Sequence, residues 1–180
     1  MIQKSDLRKH VRELKRQHTT GQLSAMSAEL CRQVLSMPDY RNASTILLYH
    51  PLPDEVDTRI LIDEAYRSGK TVILPVVVGD DLELRLYSPD NMVEGAFGIM
   101  EPSGDLFTDY DAIDVAIIPG MGFDADCHRL GRGKGYYDRL LPRLVNAVKI
   151  GICFAFQHLG SIPVEPHDVI MDMVACGMKE

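Results

Sequence analysis

The stretch Asp114-Val115-Ala116-Ile117-Ile118-Pro119 is a short apolar run that predicts a buried strand. A glycine-rich loop follows it, then a segment of helical character that begins at Gly135 and extends to Leu144, and then a second strand-like run at 148–154. Strands separated by helix-length segments indicate a layered α/β fold with a mostly parallel sheet.

The same alternation extends toward both ends of the chain. Helices are predicted at 5–17, 23–37 and 58–68, and strands at 46–50, 71–78, 82–87 and 169–176. The strands at 71–78 and 82–87 are expected to form a hairpin through Gly79-Asp80-Asp81. Ligands in open α/β sheets sit beyond the carboxyl ends of the strands. The loops after His50, Pro119 and Phe154 are therefore predicted to share one rim.

Composition narrows the class of protein. The chain has 180 residues, 46% hydrophobic and 25% charged, which predicts one globular domain over 1–180, as a monomer or small homo-oligomer. A net charge of −7 argues against a nucleic-acid or acidic-membrane partner. The polar residues after Met1 and the short apolar runs predict a cytoplasmic protein without a signal peptide or membrane span. The four widely spaced cysteines are expected to be free thiols.

The strongest local signal is the glycine-rich loop from Arg129 to Asp138, in which Arg132 and Lys134 lie between glycines. Alternating glycines let the backbone approach a ligand and turn several N–H groups toward it. The two cations add full positive charge, so the loop is suited to a polyphosphate. It matches neither the Walker A pattern nor G-x-G-x-x-G. The alternative is a flexible surface turn with solvated charges.

Two further candidates stand earlier in the chain. Lys4 and Arg8 are four residues apart and share a helix face, either as a phosphate clamp or as part of a solvated basic helix. Glu55 follows the strand that ends at His50, and its carboxylate suits either the N–H groups of a pterin or purine or the first turn of a helix.

Candidate metal ligands are also present. Asp138 and Asp172 could share a magnesium ion that arrives with a nucleotide, since Mg²⁺ needs only one or two carboxylates when phosphates and water complete its shell. Either acid could equally start a helix or lie in a loop. His167 and Asp168 are expected to stabilise the loop before the last strand, and His50 to be a satisfied strand-end histidine.

The residues Ile118 to Asp124 followed by Arg129 to Asp138 resemble the signature of 5-formyltetrahydrofolate cyclo-ligases, also called methenyltetrahydrofolate synthetases. The resemblance covers the whole chain. Its other parts are Lys4 to Arg8, Glu55 to Thr58, Gly98 to Pro102, Gln157, His167-Asp168 and Asp172. Two departures from the family pattern, the stretch Phe154-Ala155-Phe156 and the residue His50, both concern the folate pocket.

The resemblance implies a three-layer α/β/α sandwich and an ATP- and Mg²⁺-dependent enzyme acting on 5-formyltetrahydrofolate. The residues it implies for ATP are Lys4, Ser5, Asp6, Leu7, Arg8, Arg129, Leu130, Gly131, Arg132, Gly133, Lys134, Gly135, Tyr136 and Tyr137. Those for folate are His50, Glu55, Arg132, Gly133, Lys134, Gly135 and Tyr136. Arg132, Lys134 and Tyr136 would be catalytic, and Asp138 and Asp172 would bind the metal.

The implied reaction transfers the γ-phosphoryl group of ATP to the formyl oxygen, after which N10 attacks the formyl carbon and phosphate leaves. Such chemistry needs positioning and charge neutralisation more than a protein nucleophile. Two other classes stay open on the residues alone. One is a non-catalytic nucleotide-binding or regulatory domain, and the other is a sugar-phosphate isomerase or CoA-transferase.

Overall fold

A computed structural model describes residues 3–95 and 99–177 of the chain. The helices are α1 (Lys4–Arg16), α2 (Thr20–Ser36), α3 (Pro38–Asn42), α4 (Arg59–Arg67) and α5 (Tyr136–Leu140). The strands are β1 (Thr45–Leu47), β2 (Thr71–Val78), β3 (Asp81–Leu86), β4 (Met92–Glu94), β5 (Met100–Pro102), β6 (Val115–Pro119), β7 (Gly122–Phe123), β8 (Arg129–Leu130), β9 (Val148–Cys153) and β10 (Met173–Cys176).

Six of the strands form one central sheet in the order β10-β9-β6-β1-β2-β3. All neighbouring pairs in it are parallel except β2 with β3, which form an antiparallel hairpin at one edge. The predicted mostly parallel sheet is thus confirmed. Residues 96–98, which include Gly98 of the family pattern, lie outside the described residues.

Alternate residues of the central strands face opposite sides of the sheet, as strand geometry requires. Val115 and Ile117 of β6 join a core with helices α2 and α4, whereas Ala116 and Ile118 join a second core with Leu140 of α5. Helices therefore cover both faces of the sheet, which confirms the predicted α/β/α layering.

Some elements differ in extent from the prediction. The helix predicted from Gly135 to Leu144 is α-helical only over Tyr136–Leu140 and continues as a 3₁₀ turn at Leu141–Arg143. Pro142 explains the change, since it has no N–H to continue the α-helical ladder. The short hairpins β4–β5 and β7–β8 and the helix α3 were not predicted.

Helix α1 packs against the part of the chain that follows β6. Val11 is fully buried beside Met121, Leu130, Leu159 and Ile162. Burial of a side chain of this size stabilises the fold by about 2 kcal/mol. This small core fixes α1 beside the glycine-rich loop, because Leu130 belongs to that loop. In the described part of the chain, no helix is both long and apolar enough to cross a membrane.

Candidate active site

A cavity of about 270 Å³ opens at the carboxyl ends of β1 and β6. The residues after these strands, Tyr49 and His50 after β1 and Gly120 after β6, line it together with the glycine-rich loop. The residues that form the rest of its apolar wall are Leu52, Pro75, Val77, Leu82, Ile99 and Met100. This is the rim that the strand topology predicts for a ligand.

The loop after β9 contributes indirectly. Phe154 is fully buried in the core and stacks on Phe156, so it lies away from the cavity. The buried amide of Gln157 donates to the backbone oxygens of Gly120 and Met121 at 3.1 Å and 3.0 Å. The third predicted rim loop therefore supports the residues after β6.

A second, smaller cavity of about 160 Å³ is polar. Its charged lining comes from α1, from the glycine-rich loop and from the segment before β10, and consists of Lys4, Arg8, Arg129, Asp138, Glu165, His167 and Asp168. Gly131, Gly133 and Gly135 line both this cavity and the larger one. The glycine-rich loop is thus a wall common to the two cavities.

The loop takes its shape from its glycines and from α1. Gly133 (φ 96°) and Gly135 (φ 72°) adopt left-handed backbone conformations that side chains rarely tolerate. A Cβ atom at Gly133 would lie 3.5 Å from the guanidinium carbon of Arg8. Nε of Arg8 donates to the backbone oxygen of Gly131 at 2.7 Å. Helix α1 and the glycine-rich loop therefore form one surface.

Arg129 supports the glycine-rich loop through contacts with Pro119, Asp138 and Tyr137. Its guanidinium donates to the backbone oxygen of Pro119 at 3.2 Å and to Asp138 at 2.9 Å, and it lies over the ring of Tyr137. Burial raises the pKa of Tyr137, and nearby Glu55 adds to the rise, whereas Arg129 opposes it. Tyr137 is therefore a neutral phenol in the wall of the larger cavity.

Arg132 lies at the larger cavity within a group of charges. It donates through Nε to Glu55 at 3.1 Å and through Nη2 to Asp54 at 2.6 Å. Glu55 also accepts from the backbone N of Leu52 at 3.0 Å, which orients its carboxylate. Although burial lowers the pKa of Arg132, Glu55 and Asp54 outweigh that effect and raise it. The guanidinium is accordingly always charged.

Lys134, unlike Arg132, has a side-chain charge that is not paired with an acid among the described residues. It is exposed at the larger cavity, and within residues 3–95 and 99–177 its ammonium has no hydrogen-bond or ion-pair partner. Tyr136, the third predicted catalytic residue, also lines this cavity and has the guanidinium of Arg139 over its ring, 5.6 Å from the centroid. Helix α5 has only five residues, so the positive charge of the loop comes mainly from side chains.

Lys4 faces the smaller cavity between two acids. Its ammonium lies 2.7 Å from Glu165 and 2.6 Å from Asp168. Burial lowers the pKa of Lys4, but its hydrogen bonds to Asp168 and Glu165 outweigh burial and raise it. Sequence reasoning assigned Asp168 only a loop-stabilising role, since nothing in the local pattern shows that it meets a residue more than a hundred positions away.

The structure does not bring together Asp138 and Asp172, the two acids expected to share a magnesium ion. Asp138 is bound to Arg129 near the carboxyl end of β6, at the smaller cavity. Asp172 accepts from the backbone N of Lys149 at 2.7 Å, at the amino ends of β9 and β10. Because the strands are parallel, Asp138 and Asp172 lie at opposite ends of the strands, on opposite sides of the sheet along the strand direction. Glu165 and Asp168, rather than Asp172, are the acids near the chain's end that share the smaller cavity with Asp138.

The other residues predicted to bind ATP fall into three groups: some line the smaller cavity, some are exposed outside both cavities, and some pack in the core. Lys4 and Arg8 line the smaller cavity, whereas Ser5 and Asp6 are exposed outside both described cavities. The side chains of Leu7 and Leu130 pack in the small core around Val11. Leu7 and Leu130 thus hold α1 and the loop together.

His50 lines the larger cavity but is not the satisfied histidine that was expected. Its Nδ1 is the one buried side-chain polar atom without a hydrogen-bond partner among the described residues. Burial and then the charge of Arg59 lower the pKa of His50, so the ring is neutral near pH 7. A neutral ring with its proton on Nε2 leaves only a lone pair at the buried Nδ1, which is the less costly arrangement.

The sequence and the fold of the chain are both similar to those of one enzyme family. The model of the 5-formyltetrahydrofolate cyclo-ligase family matches residues 1–177. The chain is 31% identical to the 5-formyltetrahydrofolate cyclo-ligase of Mus musculus, over 84% of this chain and 86% of that protein. It is 30% identical to a probable 5-formyltetrahydrofolate cyclo-ligase of Schizosaccharomyces pombe, over 87% and 86%. The solution structure of Aquifex aeolicus 5,10-methenyltetrahydrofolate synthetase is similar with a TM-score of 0.85 and 34% identity, over 96% of this chain and 89% of that one.

Proposed function

Because the chain belongs to the 5-formyltetrahydrofolate cyclo-ligase family, we propose that it is a ligase that closes 5-formyltetrahydrofolate to 5,10-methenyltetrahydrofolate, with conversion of ATP to ADP and phosphate. The observation that carries the proposal is the glycine-rich loop, which forms a wall of both an apolar and a polar cavity. Phosphoryl transfer requires both substrates to be held next to each other, and a loop that lines both cavities can contact both of them.

The two cavities suit different parts of the substrates. The larger one offers an apolar wall and the carboxylate of Glu55, which suit a flat pterin ring with N–H donors. Its volume of about 270 Å³ is just below the usual range of ligand pockets, about 300–1,000 Å³, so the glutamate part of the folate would lie outside. The smaller one offers Lys4 and Arg8, which suit the phosphates of ATP.

In the proposed reaction the formyl oxygen attacks the γ-phosphorus and the bond from that phosphorus to the β,γ-bridging oxygen breaks, which releases ADP. N10 of the folate then attacks the formyl carbon, loses its proton, and the carbon–oxygen bond breaks as phosphate leaves. Negative charge develops on the phosphoryl oxygens during the first step. Arg132 and Lys134, which line the larger cavity on the shared loop, would stabilise it.

Glu55 would change partners when folate binds. In the structure one of its oxygens accepts from Arg132 and the other from the backbone N of Leu52. Pterin N–H groups that bind Glu55 compete with the guanidinium, which keeps Asp54 as a partner at 2.6 Å. Folate binding and the orientation of Arg132 are in this way linked.

The smaller cavity also fits a magnesium ion. Asp138 and Asp168 supply two carboxylates beside the cations proposed for phosphate binding, and Mg²⁺ usually takes one or two carboxylates with phosphate oxygens and water. When bound, the ion would neutralise charge on the β- and γ-phosphates. Lys4 pairs with Asp168 at 2.6 Å, which keeps the carboxylate beside the cavity.

The decisive test incubates the purified protein with 5-formyltetrahydrofolate, ATP and Mg²⁺ while the absorbance of the methenyl product is followed. We expect product, ADP and phosphate in equal amounts, and none of the three when nucleotide is left out. Product at the same rate without nucleotide would exclude an ATP-dependent ligase. Nucleotide binding without binding of the reduced folate would instead favour a regulatory nucleotide-binding domain.

A further inference from the structure

Lys15, near the end of α1, is a lysine whose side chain is buried, which is unusual for a charged residue. The side chain is only 5% exposed, although α1 otherwise presents its cations to solvent or to the smaller cavity. Its ammonium donates to the backbone oxygen of Asp54 at 2.5 Å and to the carboxylate of Asp54 at 3.1 Å. A buried ammonium is costly unless it is paired, so this contact fixes where Asp54 lies.

Asp54, whose position is fixed by Lys15, in turn binds Arg132. One oxygen of the Asp54 carboxylate accepts from Lys15 and the other accepts from Nη2 of Arg132 at 2.6 Å. Burial raises the pKa of Asp54, but Lys15 and Arg132 outweigh that effect and lower it, so the carboxylate stays charged. The link from Lys15 to Arg132 is therefore a continuous chain of hydrogen bonds between charged groups.

The same helix also holds the backbone next to Arg132. Arg8, two turns before Lys15, donates to the backbone oxygen of Gly131 at 2.7 Å. Helix α1 thus holds the loop through Gly131 and the side chain of Arg132 through Asp54.

We propose that Lys15 is a positioning residue: it balances the charge of Asp54, so that Asp54 and Glu55 orient the Arg132 guanidinium without binding it too tightly for it to contact the reacting groups. The proposal rests on the cyclo-ligase function proposed above. Lys15 and Arg132 carry two positive charges, and Asp54 and Glu55 carry two negative charges. Without Lys15, one guanidinium faces two carboxylates and is held more tightly to them than to a phosphoryl group.

The test compares Lys15→Met with the double variant Lys15→Met/Asp54→Asn and with Arg16→Met, a control that removes an exposed cation from the same turn. Lys15→Met is expected to lower kcat about 10-fold, within the range of coupling between neighbouring charges. The KM for ATP should stay within about twofold, because Lys4 and Arg8 are unchanged. The double variant should regain most of the lost kcat, since it restores equal numbers of opposite charges.

The outcomes separate positioning from packing. Melting temperatures of all variants give the folding control. Lys15→Met that behaves like Arg16→Met overturns the proposal, and so does a double variant no more active than Lys15→Met. Should Lys15→Met fail to fold, the double variant decides: near-normal turnover supports positioning, whereas low turnover or failure to fold overturns it. Wild-type protein that forms no methenyl product overturns the proposed function itself, which is a different result.

Discussion

Replacement of Lys134 by Ala is the most direct test of the glycine-rich loop in the proposed chemistry. Lys134 is exposed at the larger cavity, and its ammonium has no partner among the residues that the structure describes. The folded protein therefore loses no contact of that group, and the free energy of unfolding should change by less than about 0.5 kcal/mol.

The effect on turnover should be much larger. A cation that contacts the phosphoryl group acts on charge that develops in the transition state, so its loss lowers kcat more than it weakens ATP binding. Removal of one such donor typically costs about 10²–10³ in kcat, or about 3–4 kcal/mol. We expect Lys134→Ala to reach this range while its melting temperature stays close to that of the wild type.

The assay measures kcat and the KM for ATP from methenyl formation, with thermal unfolding measured in parallel. Lys9→Ala is a matched control, since Lys9 is exposed on α1 and lines neither described cavity. A raised KM for ATP with near-normal kcat would make Lys134 a nucleotide tether. Near-normal values of both would refute the reasoning and leave Lys134 a solvated surface charge.

Three further predictions concern the two cavities. Asp168→Asn should raise the Mg²⁺ and ATP concentrations needed for half-maximal rate by at least about tenfold. Asp172→Asn, which changes an acid at the opposite ends of the strands, should leave both concentrations unchanged. Equal effects of the two substitutions in the titrations would contradict the assignment of Asp168 to the metal. Glu55→Gln keeps the shape but loses the charge, so calorimetric titration should show weaker folate binding with nucleotide binding intact; equal loss of both would indicate a structural role. Gly133→Ala should lower the free energy of unfolding by about 1–3 kcal/mol because of its positive φ, and an unchanged midpoint in denaturant would show that the loop relaxes freely.

Much of the fold could be predicted because its cause is local. The apolar runs that become β2, β6 and β9 are visible in the sequence, and strands separated by helix-length segments imply parallel pairing. The hairpin of β2 and β3 was predicted from the turn between them, which the structure confirms. The short pairs β4–β5 and β7–β8 were missed, since strands of two or three residues carry too little periodicity to stand out.

The candidate site divides in the same way. The glycine-rich loop is one continuous segment, so its glycines and cations can be recognised together from the order of the residues alone. The choice between Asp168 and Asp172 could not be made in this way. The two acids are only four residues apart, but Asp172 accepts from the backbone N of Lys149 at the amino ends of the strands, while Asp168 pairs with the ammonium of Lys4 beside the smaller cavity.

By itself the sequence determined the layered α/β class, the rim that carries the candidate site and the family, because strand periodicity, turn residues and a contiguous signature are all short-range properties. Only the tertiary structure decided which charges meet: Lys4 with Asp168, Arg132 with Asp54 and Glu55, and Lys15 with Asp54. These partners lie from 39 to 164 positions apart along the chain. Electrostatic interactions depend on distance in space and on burial, and neither quantity exists until the helices have packed onto the sheet.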